Sequence, residues 1–248
     1  MTRYDFTTQP NRLNQNTMKW HEAESDPELL ELWVADMDFL PVPEIRDAVI
    51  NYAETHIFGY PYPSDELYQS IIDWEKNQHG YSVDKASIVL IEGVVPAIST
   101  AIQSFTKEDD AVLINTPVYP SFARSVRLNN RKLIENSLVK VNGHFEIDFE
   151  QLERDIVDND VKLYVFCSPH NPGGRVWTKE ELTMVADLCQ KHGVLLVSDE
   201  IHQDLALYGN KHISLNTISN AYKDFTLVLS SATKTFNIAG TKNSFHHY

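Results

Sequence analysis

The feature that most constrains the fold of this chain is a regular alternation of short apolar segments with helical segments after Pro43. The apolar segments have the length and the nearly continuous hydrophobicity of strands buried on both faces. They are Ser87–Ile91, Ala111–Asn115, Val161–Cys167, Val194–Ser198 and Thr226–Ser230. The clearest helical segment is Thr178–His192, which opens with a T-x-x-E capping box and stops at Gly193. Strands that alternate with helices predict an α/β fold with a mainly parallel sheet flanked by helices.

Two further helices are predicted ahead of this alternation, and a polar arm precedes them. The first helix has one apolar face, formed by Ile45, Ala48, Val49, Tyr52 and Ala53. The second begins after Ser64 as its N-cap and ends at Gly80. The residues before both helices are polar, are interrupted by prolines and carry aromatic residues without a sustained period. We therefore expect an arm that packs on another part of the protein.

Composition excludes several classes of function. The 248 residues, 42% of them hydrophobic, can bury the core of one large domain or one and a half. The formal charge of −14 repels phosphate backbones and anionic lipids, so we expect neither nucleic acid nor membrane as a partner. No signal-peptide or membrane-spanning stretch is evident, which favours a cytoplasmic protein. Cys167 and Cys189 have neither CxxC nor metal-site spacing, so we expect two buried, reduced thiols and no metal site.

In parallel sheets, ligands bind beyond the carboxyl ends of the strands, so the residues that follow each strand are the first candidates for a site. The first strand leads into a turn in which the backbone N–H groups of Val94 and Val95 could hold a phosphate, with Pro96 at the first helical position. A helix that starts in this way without a ligand is the commoner case. Tyr119 follows the second strand and could either stack on a flat ligand or close the top of the core.

The next two strands are followed by polar residues whose side chains suit only a few kinds of ligand group. The loop after the third strand holds Asn171 between two prolines and two glycines, where its amide can donate to a ligand oxygen. A single histidine in such a loop is more often a surface residue than a ligand, so we expect His170 to be exposed and assign it no role. Asp199 follows the fourth strand, and its carboxylate should face a cation such as a pyridinium nitrogen, or a structural donor in a neighbouring loop.

Lys234 follows the fifth strand, close to the hydroxyl residues Ser231 and Thr233, which could bind a phosphate. A desolvated lysine is what imine chemistry needs, although a surface lysine is the alternative at this single position. Five such loops at one sheet edge favour one shared ligand over five coincidences.

Seven segments of the chain resemble a known family. In order they are WVADMDF (Trp33–Phe39), FGYPYPSDEL (Phe58–Leu67), EGVVPA, NTPVYPSF, CSPHNPGGR, VSDEIH and SATKTFNIAG. In these segments the chain resembles the fold-type I pyridoxal 5'-phosphate (PLP) enzymes of the class I/II aminotransferase superfamily. More narrowly, it resembles the MalY/PatB-type cystathionine β-lyases, also called cysteine C–S lyases or cystalysins. The resemblance implies the PLP-dependent transferase-like fold, which is that of aspartate aminotransferase.

The resemblance implies that five residues contact the cofactor ring or its aldehyde carbon. Lys234 would hold PLP as a Schiff base and serve as the catalytic base. Tyr119 would stack on the ring and is expected, with Lys234, to be a catalytic residue. Asp199 would pair with the pyridine nitrogen. Asn171, with His202 assisting, would hydrogen-bond the phenolic oxygen.

The resemblance also implies which residues bind the cofactor phosphate. The backbone at Val94 and Val95 would hold it, together with Ser231 and Thr233. Tyr60 would reach the phosphate of the neighbouring subunit, which implies a homodimer. Lys242 stands where many aminotransferases carry a phosphate-binding arginine.

The resemblance further implies a division of the chain. Residues 1–45 would form an N-terminal arm and part of a small domain, and residues 46–248 an incomplete large PLP-binding domain. Members of the family are longer, so the chain is expected to be truncated before the C-terminal small domain, which supplies the arginine that grips the substrate carboxylate. The last residues, Phe245–Tyr248, depart from the family pattern where an apolar strand is expected.

The implied activity is that of a PLP-dependent carbon–sulfur β-lyase. Such an enzyme converts cystathionine or cysteine, small sulfur-containing amino acids, into a keto acid, ammonia and a thiol or sulfide. Two alternatives stay open. One is a PLP-dependent aminotransferase that uses the same lysine and ring contacts, and the other is an inactive or regulatory fragment of such an enzyme.

Overall fold

The computed structural model describes residues 4–26, 28–241 and 244–247. Its helices are α1 (Pro43–Thr55), α2 (Asp65–His79), α3 (Val94–Phe105), α4 (Ser121–Leu128), α5 (Phe149–Asp158), α6 (Lys179–His192), α7 (Leu215–Ile218) and α8 (Ala232–Thr235). Its strands are β1 (Ile88–Ile91), β2 (Ala111–Thr116), β3 (Lys132–Ser137), β4 (Val139–Val141), β5 (His144–Glu146), β6 (Val161–Cys167), β7 (Leu195–Asp199), β8 (Thr226–Ser230) and β9 (Ser244–His247).

The chain divides into two compact units. The arm unit comprises Met1–Tyr62 and Ala232–Lys242, and the sheet unit comprises Pro63–Ser231 and Asn243–Tyr248. Within the described residues of the sheet unit, seven strands form one sheet in the order β1-β9-β8-β7-β6-β2-β3. Neighbours from β8 to β3 pair in parallel, whereas β9 runs antiparallel to both β1 and β8. This arrangement confirms the mainly parallel sheet.

The residues of β6 show why the strands are apolar along their whole length. Leu163 and Val165 pack in the core cluster that includes residues of α3 and α4. Tyr164 and Phe166 point to the opposite face and pack in the cluster that includes residues of α5 and α6. All four side chains are at most 1% exposed. The centre of the sheet is therefore covered on both faces, whereas the edge strands β1 and β3 are partly exposed. Polar side chains gather at the ends of the central strands.

The predicted helix ends are confirmed, with one correction. Ser64 Oγ accepts the Leu67 N–H at 3.3 Å, and Gly80 ends α2 in the left-handed region. Helix α6 carries the reciprocal capping box of Thr178 and Glu181. The position expected for Pro96 was wrong, because α3 begins at Val94 and Pro96 is its third residue. N–H groups of the first helical turn have no intrahelical acceptor, so a proline there removes no hydrogen bond.

Partly buried ion pairs fix part of the arm unit. Arg12 contacts Asp36 at 2.8 Å and Asp38 at 2.6 Å, and Lys19 Nζ contacts Asp38 at 2.7 Å. The Trp20 indole N–H donates to Asp38 at 2.9 Å. Burial opposes ionisation of Asp38, but Lys19, Trp20 and Arg12 outweigh it and hold the pKa of this carboxyl below its usual range. The segment around Asp36 and Asp38 is thus held by charge-assisted hydrogen bonds.

Helix α1 exposes the apolar face predicted from its spacing. Val49 is 59% exposed and Tyr52 is 42% exposed, and the helix contains no buried residue. The chain after α1 continues this surface, with Phe58 at 77% exposure against Tyr52. The arm unit therefore presents a sizeable apolar and aromatic surface.

Three smaller expectations can be compared with the structure. Cys167 and Cys189 are free and buried, as predicted, and burial raises the pKa of both thiols. Across the described ranges, no helix is long and apolar enough to cross a membrane. The residues that depart from the family's apolar pattern nevertheless form β9, because the backbone supplies the hydrogen bonds of an antiparallel pair. Tyr248 lies outside the described residues.

Candidate active site

Three adjacent strands of the sheet unit end in candidate residues. In the sheet register, Asp199 of β7 lies opposite Cys167 of β6 on one side and Leu229 of β8 on the other. The loop with Asn171 follows Cys167, and Ser231 comes two residues after Leu229. Neighbouring strands are about 4.8 Å apart, so the chains that carry Asn171, Asp199 and Ser231 leave the sheet side by side.

Asp199 is a buried carboxylate at the last position of its strand. It is 6% exposed, and its Oδ1 accepts the Ile201 N–H at 3.1 Å. This bond is local, because Ile201 belongs to the loop that follows Asp199 itself. The charge of Asp199 also adds to burial in raising the pKa of the Cys167 thiol. A carboxylate this deeply placed favours a cationic or strongly donating partner.

The Asn171 loop is fixed by bonds across its base. The His170 N–H donates to the Arg175 carbonyl at 2.7 Å, and the Gly174 N–H donates to the His170 carbonyl at 2.8 Å. Arg175 in turn pairs with Glu181 at 2.6 Å and lies 4.7 Å above the Trp177 ring. The half-buried Asn171 is therefore presented from a rigid loop.

His170 was expected to be a surface residue, and this was wrong. Its side chain is 3% exposed, its ring lies edge-on to Trp177 with 5.6 Å between ring centres, and Nδ1 accepts the Gly173 N–H at 3.3 Å. Burial, aided by the nearby charge of Arg175, lowers the pKa of His170 to about 4. The loop turns inward because Gly173 leaves room for the imidazole, which a Cβ would approach to 2.7 Å.

The remaining positions of the sheet edge are the start of α3, an aromatic ring and two polar side chains. Helix α3 starts from Gly93 at φ 133° without a side-chain cap, so the N–H groups of Val94 and Val95 are those a helix leaves for an external acceptor. Tyr119 is 43% exposed, so its ring is not enclosed in the core. Ser231 is a buried hydroxyl, and His202 lies half-buried at the start of a short helical turn.

Behind this edge lies a polar network that the sequence did not predict. Glu200 is fully buried, and its Oε2 lies 2.9 Å from Nε2 of His212. Burial opposes ionisation, but the charge and hydrogen bond of His212 hold the pKa of Glu200 below its usual value. Gln203 Nε2 donates to Glu75 Oε1 at 2.7 Å and to Ser230 Oγ at 2.9 Å. Gln203 therefore links the loop that follows Asp199 to the end of β8.

The other predicted positions belong to the arm unit. Lys234 lies on α8, is half-buried, and donates from Nζ to the Ala35 carbonyl at 3.3 Å. Thr233 beside it is 7% exposed, whereas Tyr60 is fully exposed. Lys242 lies outside the described residues. The contact between Lys234 and the WVADMDF segment was not predicted, since nothing in the spacing of residues 199 positions apart indicates it.

Comparison with known proteins places the chain in a family. Residues 27–242 match the family described as aminotransferase class I and II, so the chain belongs to this family. It is 40% identical to cystathionine β-lyase PatB of Bacillus subtilis (strain 168), over 97% of this chain and 63% of PatB. The chain thus spans less than two thirds of that relative.

Two solved structures give the same picture of the fold. Cystalysin from Treponema denticola, which contains a PLP cofactor, matches with a TM-score of 0.94 and 38% identity over 98% of this chain and 63% of that one. A PLP-bound putative aminotransferase from Clostridium difficile 630 matches with a TM-score of 0.93 and 42% identity over 98% of this chain and 64% of that one. The fold expected from the resemblance is confirmed.

Proposed function

We propose that this protein is a PLP-dependent carbon–sulfur β-lyase that converts cystathionine or cysteine into a keto acid, ammonia and a thiol or sulfide. The observation that carries the proposal is the set of three parallel strand ends that bear Asn171, Asp199 and Ser231. The named activities of PatB and the cofactor of cystalysin support the same assignment.

The residues of the sheet edge fit the chemical groups of PLP. The uncapped start of α3 at Val94 and the buried hydroxyl of Ser231 suit a phosphate. The buried carboxylate of Asp199 suits a pyridine nitrogen that carries a proton, and the amide of Asn171 suits a phenolic oxygen. The exposed ring of Tyr119 suits a flat heteroaromatic ring.

In this function each residue has a defined task. When bound, PLP acts as an electron sink that makes the substrate Cα proton acidic and lets a thiolate leave from Cβ. Lys234 holds the cofactor, and its freed amine takes the Cα proton. Asp199 keeps the proton on the ring nitrogen, and Asn171, with His202, donates to the phenolic oxygen. Val94, Val95, Ser231 and Thr233 bind the phosphate.

Covalent trapping tests the assignment of Lys234. The purified chain is mixed with PLP, reduced with borohydride and digested, and the modified peptide is identified by mass spectrometry. We expect PLP on Lys234, no trapping in Lys234→Ala, and undiminished trapping in Lys211→Ala, which removes an exposed lysine. A native chain that carries no PLP on Lys234 would overturn the assignment.

Product analysis separates the lyase from its nearest alternative. The similarity to a PLP-bound putative aminotransferase makes transamination the second candidate. Release of keto acid and ammonia from cystathionine without an added keto acid supports the lyase. Strict dependence on an added keto acid as amino acceptor establishes the aminotransferase instead. A chain that binds PLP but shows neither elimination nor transamination is the inactive fragment.

We also propose that the protein acts as a homodimer in which Tyr60 reaches the phosphate of the neighbouring subunit. The exposed apolar face of α1 and the aromatic residues after it supply a surface that a second copy can cover. Tyr60→Phe should weaken PLP binding. Tyr208→Phe is the matched control, since Tyr208 is 98% exposed and lies in the sheet unit. A monomer in sedimentation velocity, or equal PLP affinity in both variants, would contradict the proposal.

A further inference from the structure

The segment Ala35–Phe39 is anchored from two directions within the arm unit. Its aspartates contact Arg12 and Lys19, as described above. Its backbone is held separately by the side chain of Asn237, whose Oδ1 accepts the Met37 N–H at 2.8 Å. Asn237 Nδ2 donates to the Met37 carbonyl at 2.9 Å and to the Phe39 carbonyl at 3.2 Å. The side-chain amide of Asn237 thus accepts one hydrogen bond through its oxygen and donates two through its nitrogen, all to the same segment.

The backbone conformation of Asn237 narrows the choice of residue further. Its φ is 56°, in the left-handed region that glycine and asparagine adopt most readily. Glycine would satisfy the backbone but could not bind the segment. Asparagine satisfies both requirements.

The anchored segment also contacts Lys234. Nζ of Lys234 donates to the carbonyl of Ala35, two residues before Met37, at 3.3 Å. Asn237 itself is three residues after Lys234, and its N–H donates to the Lys234 carbonyl at 3.4 Å. Asn237 is therefore hydrogen-bonded both to the backbone of Lys234 and to the segment whose Ala35 carbonyl accepts the bond from the lysine amine.

We propose that Asn237 is a positioning residue that holds Ala35–Phe39 beside Lys234, so that the Ala35 carbonyl orients the free amine of the lysine. The proposal deepens the proposed function and rests on it, because there the amine of Lys234 is freed from the cofactor before it takes the Cα proton. An amine held by one carbonyl samples fewer side-chain rotamers than a free lysine. Asn237 acts only through the segment and the lysine.

Trace labelling with acetic anhydride tests this without any cofactor. The measured quantity is the acetylation rate of Lys234 divided by that of the exposed Lys211, in the native chain and in Asn237→Gly. Glycine keeps φ 56° without strain and removes the amide, so we expect the ratio to rise about three- to tenfold. Asn130→Gly is the control, since Asn130 is exposed and has the same φ of 56°.

Two outcomes of the labelling would overturn the proposal. One is an unchanged ratio in Asn237→Gly, and the other is an equal rise in Asn130→Gly, which would report general loosening. If Asn237→Gly fails to fold, Asn237→Asp keeps the acceptor for the Met37 N–H and loses both donated bonds. That variant should raise the ratio by a smaller factor, and no rise would overturn the proposal.

A second arm uses PLP and separates this proposal from the proposed function. Borohydride fixation of PLP on Lys234, timed in a quenched series, should be slower in Asn237→Gly than in the native chain and in Asn130→Gly. If the native chain takes up no PLP, the proposed function fails while the acetylation ratio still decides the role of Asn237. If PLP is fixed equally fast in all three proteins, the positioning role is refuted.

Discussion

Replacement of the buried Glu75 by glutamine should change how the stability of the sheet unit depends on pH. Glu75 lies on α2, is 1% exposed, and accepts one bond from Gln203 through Oε1. For Oε2, no hydrogen-bond partner is found among the described residues. Burial raises the pKa of Glu75 from 4.5 to about 7; Gln203 and His79 act against this, and the charges of Glu200 and Asp204 add to it.

The size of the effect follows from linkage. Below pH 4.5 Glu75 carries its proton in both the folded and the unfolded chain, so it adds no pH-dependent term. Between pH 4.5 and about 7 the unfolded chain releases the proton first, so the folded state loses stability as the pH rises. Above pH 7 the full penalty applies, and the difference between the two pKa values corresponds to about 3 kcal/mol. Glutamine at position 75 is neutral at every pH and can still accept the bond from Gln203.

Urea unfolding of the native chain and of Glu75→Gln, followed by tryptophan fluorescence between pH 5 and pH 8, measures this difference. The advantage of the variant should be small at pH 5 and grow to about 3 kcal/mol at pH 8. Burial lowers the pKa of His79, but the hydrogen bond to Asp204 and the charge of Glu75 outweigh it and raise this pKa, so His79 also makes stability fall as the pH rises. The Asp204 contact is present in both proteins, whereas the part that comes from Glu75 is lost in the variant and adds to the growth of its advantage with pH. Glu108→Gln, at an exposed loop position, should show a constant difference. A constant difference for Glu75→Gln as well would refute the reasoning.

Three further changes have defined outcomes. Asp199→Asn should weaken PLP binding about 10- to 100-fold in a spectroscopic titration, because an amide replaces the charged partner that we propose for the ring nitrogen; unchanged affinity would contradict this role. Glu200→Gln leaves His212 without its buried counter-charge and should lower the free energy of unfolding by about 3 kcal/mol, so a loss below about 1 kcal/mol in urea unfolding would count against the pair. Gly173→Ala places a Cβ 2.7 Å from a histidine ring nitrogen and should cost about 1–3 kcal/mol, while Gly59→Ala, with nothing within 4 Å, should cost far less in the same thermal-unfolding assay.

Strands buried on both faces were the part of the fold that the sequence predicted best. The bounds of β6 and β8 agree with the prediction at both ends, because an unbroken apolar run has a clear start and stop. Strand β7 begins and ends one residue later than predicted, since Asp199 still pairs with Cys167. Strand β3 was not predicted. It lies at the sheet edge, where its residues Lys132–Ser137 alternate between exposed and buried and resemble a loop in composition.

The sequence could predict those residues of the candidate site that come just after a strand. Asp199 could be placed because it comes directly after an apolar run, and Asn171 because it stands in the loop that follows one. Their roles toward PLP stay predictions. Asn237 stands in a segment that the sequence had already singled out, yet its partners are about 200 residues away. No local period encodes such a contact, since it depends on how the arm unit folds.

The pKa values of the buried carboxylates could not be predicted from the sequence for the same reason, since they depend on contacts between residues far apart in the chain. Glu75 and Glu200 are both fully buried glutamates, yet the pKa of one is raised to about 7 and that of the other is held below its usual value. Glu200 faces a histidine at 2.9 Å and also accepts bonds from Ser198 Oγ and the Leu215 N–H, whereas the bond to Glu75 comes from the neutral amide of Gln203. Residue type and burial predict only that each acid needs a partner. Which acid keeps its proton up to about pH 7 is decided by the partners that the fold brings to it. For Glu75 that partner is Gln203, which lies 128 residues away in the sequence and also contacts the end of β8.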